Sequence, residues 1–211
     1  MMYFDFKLGA QVRCQDEACG GLAGLVANPD SRQVTHLIVK EGFLFTRSSV
    51  LPLSAVRRTL GADIEISITS QEFDQYPEYQ VVTYEAPADG YEQPIVSGTA
   101  HTEPYGTGGA IVPMVKRKIR EGIVTGQVVI EEGMPISNLV GKIGQVEHVI
   151  VDRETYNITY LVVHRGLIFT ERLMVPISMV EELHEDGIAV AGANEALERL
   201  SHYAPETSDR V

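Results

Sequence analysis

The side chains with the most evident chemistry are two thiols, Cys14 and Cys19, separated by four residues. Such a pair can be half of a metal site, a redox couple, or simply two small apolar groups. Zinc takes four close ligands and no second cysteine pair exists, and two cysteines do not make a disulfide framework. The expectation is free thiols. His36, His148 and His164 each stand alone in an apolar stretch, which favours packing over ligation. Lys116, Arg117, Lys118 and Arg120 place four cations together, a pattern that can meet a polyanion such as RNA or an anionic lipid. Against a formal charge of −12, their expected role is instead to neutralise acidic surface such as Glu131-Glu132. Glu181, Glu182, Glu185 and Asp186 read as a solvated strand end and turn, with no contrast of environments to set up paired acid–base work. Gly106-Thr-Gly-Gly109 lacks the Gly-Lys-Ser/Thr ending of a phosphate loop, and Gly20-Gly-Leu-Ala-Gly24 does not open a helix. Neither a Gly-x-Ser-x-Gly elbow nor a His-Glu-x-x-His helix occurs. The expectation is a protein that is not an enzyme, with no catalytic residue, no metal and no cofactor.

The elements that must position these residues occur twice. Val34-Thr-His-Leu-Ile-Val39 returns as Ile158-Thr-Tyr-Leu-Val-Val163, and Leu51-Pro-Leu-Ser-Ala-Val56 returns as Val175-Pro-Ile-Ser-Met-Val180. Phe43-Leu-Phe-Thr46 likewise answers to Leu167-Ile-Phe-Thr170, at the same spacing. That spacing also pairs Gly9 with Gly133, Gly20 with Gly144, Gly42 with Gly166 and Ile64 with Ile188. The chain is an internal duplication. Cys14 and Cys19 match Asn138 and Ile143, and His36 matches Tyr160, so the fold requires neither sulfur nor imidazole there.

Each copy reads as five or six short strands. Asn28-Pro-Asp-Ser31 is a turn, since Pro presets φ while Asn, Asp and Ser bond to nearby backbone. Pro52 removes a ladder donor and so belongs at a sheet edge or a strand start. Thr69-Ser-Gln-Glu72 carries a capping box opening a helical turn that Pro77 stops. A longer closing helix is expected over 193–200, with Asn194 as its cap. Strict alternation puts Ile158, Tyr160 and Val162 on one face of their strand and Thr159, Leu161 and Val163 on the other, with Val34, His36 and Ile38 repeating the first set. Both faces are apolar, so one fills an interior and the other needs a cover. Val34, His36, Ile38, Ile158, Tyr160 and Val162 are therefore the candidate interface, closed by the other half of the chain, by a second copy or by a partner protein.

The length of 211 residues suits two small units. The segment 77–115 holds five prolines, many Gly and Tyr residues and no Lys or Arg, and reads as a linker, with Gln80-Val-Val-Thr-Tyr84 and Ala110-Ile-Val112 apolar enough to order. The expected organisation is a unit over 1–76, a linker over 77–116, a second unit over 117–203 and a tail over 204–211. A pI near 4.9 disfavours nucleic acid and anionic membranes as partners. No export signal and no apolar run of about 18 residues is present, so the expected place is the cytoplasm, where thiols stay reduced.

With the repeat in view, both halves resemble the PRC-barrel family. Gly9-Ala-Gln-Val12, the 20–26 stretch, Val34-Thr-His-Leu-Ile-Val39 and Val50-Leu-Pro-Leu-Ser-Ala-Val56 carry the resemblance in the first half. Val140-Gly-Lys-Ile-Gly-Gln-Val146, Val149-Ile-Val-Asp152, the 158–166 stretch and Met174-Val-Pro-Ile-Ser-Met-Val180 carry it in the second. The resemblance implies an all-β protein: two small β-barrels in tandem, each closed by a short C-terminal helix, acting as docking modules. Such barrels occur in the cytoplasmic part of the photosynthetic reaction-centre H subunit and in a bacterial ribosome-maturation factor. The family offers no catalytic motif to carry over. The expected function is a non-catalytic interaction or scaffolding module, self-associating as a homodimer. The alternatives are an RNA-linked role through 116–120 and a small-molecule or metal binder using a cleft between the barrels.

Overall fold

The computed structural model describes residues 2–42, 47–87, 114–166, 171–192 and 200–204. Two compact units emerge, one formed by Met1–Tyr79 with Gly122–Val211, the other by Gln80–Glu121. The fold is mostly β, and the α-helix among the described residues, α1 (Ser70–Phe73), spans a single turn. Among the described residues no helix is long and apolar enough to cross a membrane.

In the larger unit the first copy supplies β1 (Tyr3–Lys7), β2 (Gln11–Arg13), β3 (Ala18–Ala27), β4 (Val34–Glu41), β5 (Arg47–Pro52), β6 (Val56–Leu60) and β7 (Asp63–Ile66). The smaller unit is a hairpin of β8 (Gln80–Pro87) and β9 (Met114–Glu121). The second copy then gives β10 (Val128–Glu131), β11 (Pro135–Asn138), β12 (Gly141–Asp152), β13 (Ile158–Arg165), β14 (Glu171–Pro176), β15 (Val180–His184) and β16 (Gly187–Val190). The sheets run β5-β4-β3-β2-β7-β6 and β14-β13-β12-β11-β16-β15, the same order from equivalent strands. The all-β expectation holds in its coarse form, but the expected barrels are not seen: among the described residues neither sheet closes on itself through its hydrogen bonds.

The copies trade their first strands. β1 pairs with β12 of the other copy, Phe4 opposite Val151 and Phe6 opposite Val149. β10 pairs with β3 at the matching positions, Val128 opposite Ala27 and Ile130 opposite Leu25. The reciprocity extends to the turns, where the Val34 N–H donates to the Tyr156 carbonyl at 2.9 Å and the Ile158 N–H to the Arg32 carbonyl at 3.0 Å. Arg32 also reaches the Glu181 carbonyl at 2.9 Å, and Arg153 the Arg57 carbonyl at 3.0 Å. An arrangement in which each half makes the other's contact is that of a two-fold interface. The apolar interior is accordingly continuous, with Phe6, Leu25, Leu37, Ile130, Val149 and Leu161 in one cluster.

Local chemistry explains the elements. Val, Ile and Thr crowd β4 and β13, where branched side chains suit a pleated surface. The Asn28 side chain accepts from the Asp30 and Ser31 N–H groups, closing the expected turn. A side chain on Gly20 would place its Cβ 2.4 Å from the Lys40 carbonyl oxygen, and one on Gly144 would sit equally close to that of His164, so both copies need glycine where these strands cross. Pro52 ends β5 at the sheet edge. The box at α1 forms as read, with the Thr69 side chain accepting from the Glu72 N–H and the Glu72 carboxylate from the Thr69 N–H.

Two further expectations change. Cys14 and Cys19 are joined as a disulfide, with no free cysteine in the chain. The β2–β3 hairpin brings their Cα atoms to 5.8 Å, within the reach of an S–S bridge, which sequence spacing alone does not reveal. The strict alternation assumed for β4 and β13 is also broken. Ala27 faces Val34 and Val26 faces His36, so Thr35 is an extra residue, and Thr159 is extra in the same way between Ile158 and Tyr160. Such bulges reverse the phase of the strand, and Val34 and Ile158 turn into the core beside Leu37 and Leu161. The expectations for 43–46, 88–113, 167–170, the closing helix over 193–199 and the tail beyond 204 fall outside the described residues.

Candidate functional site

The outer faces of the two sheets, opposite the shared core, carry four of the expected interface residues, His36, Ile38, Tyr160 and Val162. Ile38 is buried with Val26 and Val129, under Ala23, Tyr79 and Ile123. His36 is half-buried and its Nδ1 is enclosed without a hydrogen-bond partner. Burial without a compensating bond penalises the charged ring, and the His36 pKa lies below its ordinary value. Tyr160, 36% exposed, lies between Ile150 and Pro176 across the strands, and Val162 is fully buried. Val34 and Ile158 instead sit in the core, at the junction of the two copies. Lys116, Arg117, Lys118 and Arg120 lie on β9, whose register sets Lys116 opposite Glu85 and Lys118 opposite Thr83.

The edge of each sheet is covered by a strap. Tyr79 donates its N–H to the Ser48 carbonyl at 2.7 Å, and Tyr203 donates to the Arg172 carbonyl at 2.9 Å. Covering an edge in this way removes a template for unintended strand pairing. The tyrosines are equivalent in the repeat, but what lies around them is not.

In the first copy a cleft of about 220 Å³ opens among Ala23, Ile38, Ser48, Tyr79, Val129 and Glu131. The equivalent residues of the second copy are Glu147, Val162, Arg172, Tyr203, Asp5 and Lys7, and several of these lock together. Arg172 donates to Glu147 twice, at 2.7 Å and 2.9 Å. The Asp5 carboxylate meets His148 Nδ1 at 2.8 Å and accepts the Tyr203 hydroxyl. The His148 and Tyr203 rings lie 4.8 Å apart. His148 is 6% exposed and replaces Gly24 of the first copy, whose Cβ would press on Val129. Arg172 holds the Glu147 carboxyl below its usual range through hydrogen bonding, and burial, with the bond to Asp5, raises the Tyr203 hydroxyl. One copy thus has an open cleft of mixed lining where the other has a polar plug.

Neither the plug nor the disulfide is legible in the sequence. His148, expected to pack as a lone residue, has two polar partners, Asp5 and Tyr203. The available signal was the repeat itself, in which the Tyr79–Tyr203 match is kept while Gly24 and Val129 become His148 and Asp5. Among the described residues no group of three or more His, Cys, Asp or Glu is placed to hold a metal ion. No protein-family model matches the chain, and no curated protein matches its sequence.

Proposed function

We propose that this chain is a non-catalytic interaction module of PRC-barrel type that self-associates through its outer sheet faces, with the first-copy cleft as the seat of the contact. The observation that carries the reading is the asymmetry between copies. The cleft beside Ile38 is open, with Ala23, Ile38 and Val129 as its apolar side and Ser48 and Glu131 as its polar one, whereas its counterpart is filled; on the same strand the buried His36 nitrogen has no partner. An apolar recess rimmed by polar groups is the form an interaction site takes, and an unpaired buried nitrogen costs stability until something bonds to it. Tyr160 adds an exposed aromatic to the equivalent face of the second sheet, the residue type enriched at interfaces. In this reading each sheet with its strap is one PRC-type module, and the trade of first strands makes the pair one body.

The second copy supplies the test. Ala23→Glu with Ser48→Arg introduces the Glu147–Arg172 pair at the equivalent positions and fills the cleft with groups of known fit. Light scattering is expected to give a dimer for the native chain and a folded monomer for this variant, and a weakened dimer for Tyr160→Arg. A native chain that stays monomeric over the accessible concentration range contradicts the reading.

A further inference from the structure

We propose that the Cys14–Cys19 disulfide is a thiol-exchange site that takes a small anionic thiol, steered and held by Arg13 and Arg57. The disulfide lies against a cleft of about 240 Å³ lined by Arg13, Cys14, Asp16, Glu17, Arg57 and Glu65, among others. Both cysteines pack into the core, but Cys14, 9% exposed, contributes to the lining of the cleft, whereas Cys19, 5% exposed, does not. The incoming sulfur therefore meets Cys14.

The charges of the cleft are already sorted. Asp16 accepts the Ser70 N–H at 2.9 Å and the Ser70 hydroxyl at 2.7 Å. Glu65 accepts two bonds from Arg58, each 2.8 Å. Both carboxyls sit below their usual range for these reasons. Arg13 and Arg57 feel Glu65 only through space, and among the described residues neither guanidinium donates a hydrogen bond. Glu65 is balanced by Arg58, while Asp16, whose Ser70 partner is neutral, and Glu17 are the carboxylates of the lining without a cationic partner. Two free forks of N–H donors facing a recess suit a carboxylate-bearing ligand.

The bridge is not needed to close the hairpin. In the second copy, Asn138 and Ile143 occupy the same positions, and the turn closes by Asn138 accepting from the Val140 and Gly141 N–H groups at 2.9 Å and 3.1 Å. The first-copy loop is also tethered independently of sulfur. The Gln15 N–H donates to the Ile68 carbonyl at 2.9 Å, its side-chain amide donates to the Ser67 carbonyl, and Asp16 is fixed to Ser70. Reduction thus leaves two thiols still facing each other, and the reaction reverses without refolding.

The step balances as thiol–disulfide exchange. The ligand thiolate attacks Cys14 Sγ; the S–S bond breaks, and its electron pair leaves on Cys19 Sγ, which takes a proton from solvent. A second ligand thiolate attacks the mixed disulfide at the ligand's sulfur, releasing Cys14, which is protonated, and the ligand departs as its oxidised dimer. Two thiols are oxidised and one protein disulfide is reduced.

The test compares three thiols of similar size on the full chain: 3-mercaptopropionate (anionic), 2-mercaptoethanol (neutral) and cysteamine (cationic). Rates of Cys14–Cys19 reduction are followed by alkylation and mass spectrometry at low salt and corrected for thiolate fraction. A chain of net charge −12 with no local site favours the cation. The proposal expects the anion to react about tenfold faster than the cation, and the order to collapse when Arg13→Gln and Arg57→Gln are combined. An unchanged order in that variant, a faster cation in the native chain, or thiols that alkylate before any reductant is added each overturns it.

Discussion

Phe6→Ala tests the trade of strands between copies. Phe6 is fully buried in the common core, and β1, which carries it, pairs with β12 of the second copy. Deleting such a ring removes its transfer energy and leaves a cavity, together about 3–5 kcal/mol. The cost should appear where the strand is inserted. Hydrogen exchange read by mass spectrometry is expected to show lost protection in β12 and β13, more than a hundred residues along the chain, with β3 and β4 less affected. Ile130→Ala, at the equivalent position, costs about 2–5 kcal/mol and should do the reverse, loosening β3 and β4. Chemical unfolding should remain a single transition for both, since the core is continuous. If Phe6→Ala exposes only first-copy peptides, or if the two halves unfold in separate steps, the interlocked description fails.

Further consequences are open to measurement. Reducing the Cys14–Cys19 bridge, or Cys19→Ser, should cost about 2 kcal/mol or less, because a short loop has little closure entropy; thermal unfolding with and without reductant checks this. Tyr203→Phe removes the hydroxyl bound by Asp5 and should cost about 1 kcal/mol, with faster exchange of the Tyr203 and Met174 amides that hold the strap. Acid should destabilise the chain in two stages. His36 has a depressed pKa in the folded state, so its contribution is full above the unfolded value near 6.5 and is lost as pH falls through the folded one. Glu147 is depressed as well, so its contribution is present above its unfolded value and disappears at lower pH, as it is protonated; Glu147→Gln should flatten the acid limb of a stability–pH curve. Replacing 80–121 by a short turn should leave the larger unit folded, because a Cβ on Gly122 would lie 3.3 Å from the Tyr79 Cα, so the chain leaves and returns at one place; circular dichroism and thermal melting read the outcome.

Much of the fold was legible because its signals are local. The 28–31 turn, the Thr69–Glu72 box and the edge position of Pro52 each follow from the chemistry of one or two side chains, and the repeat reports itself by spacing. What was lost depends on distance or phase. A single inserted Thr in β4 and β13 turns Val34 and Ile158 inward, and Thr is as compatible with regular strand as with a bulge. The partner of β1 was not decidable because duplication makes β3 and β12 near-equivalent templates. The plug of Asp5, His148 and Tyr203 joins residues from three remote stretches, each ordinary in its own neighbourhood.

The contact proposed for the first-copy cleft is reached most directly by photo-crosslinking from position 48, at its rim. With a photoactivatable residue in place of Ser48, irradiation should join two chains of 23.2 kDa each, with adducts mapping to the outer faces that carry Ile38 and Tyr160. Adducts confined to a single chain at every concentration would contradict the account.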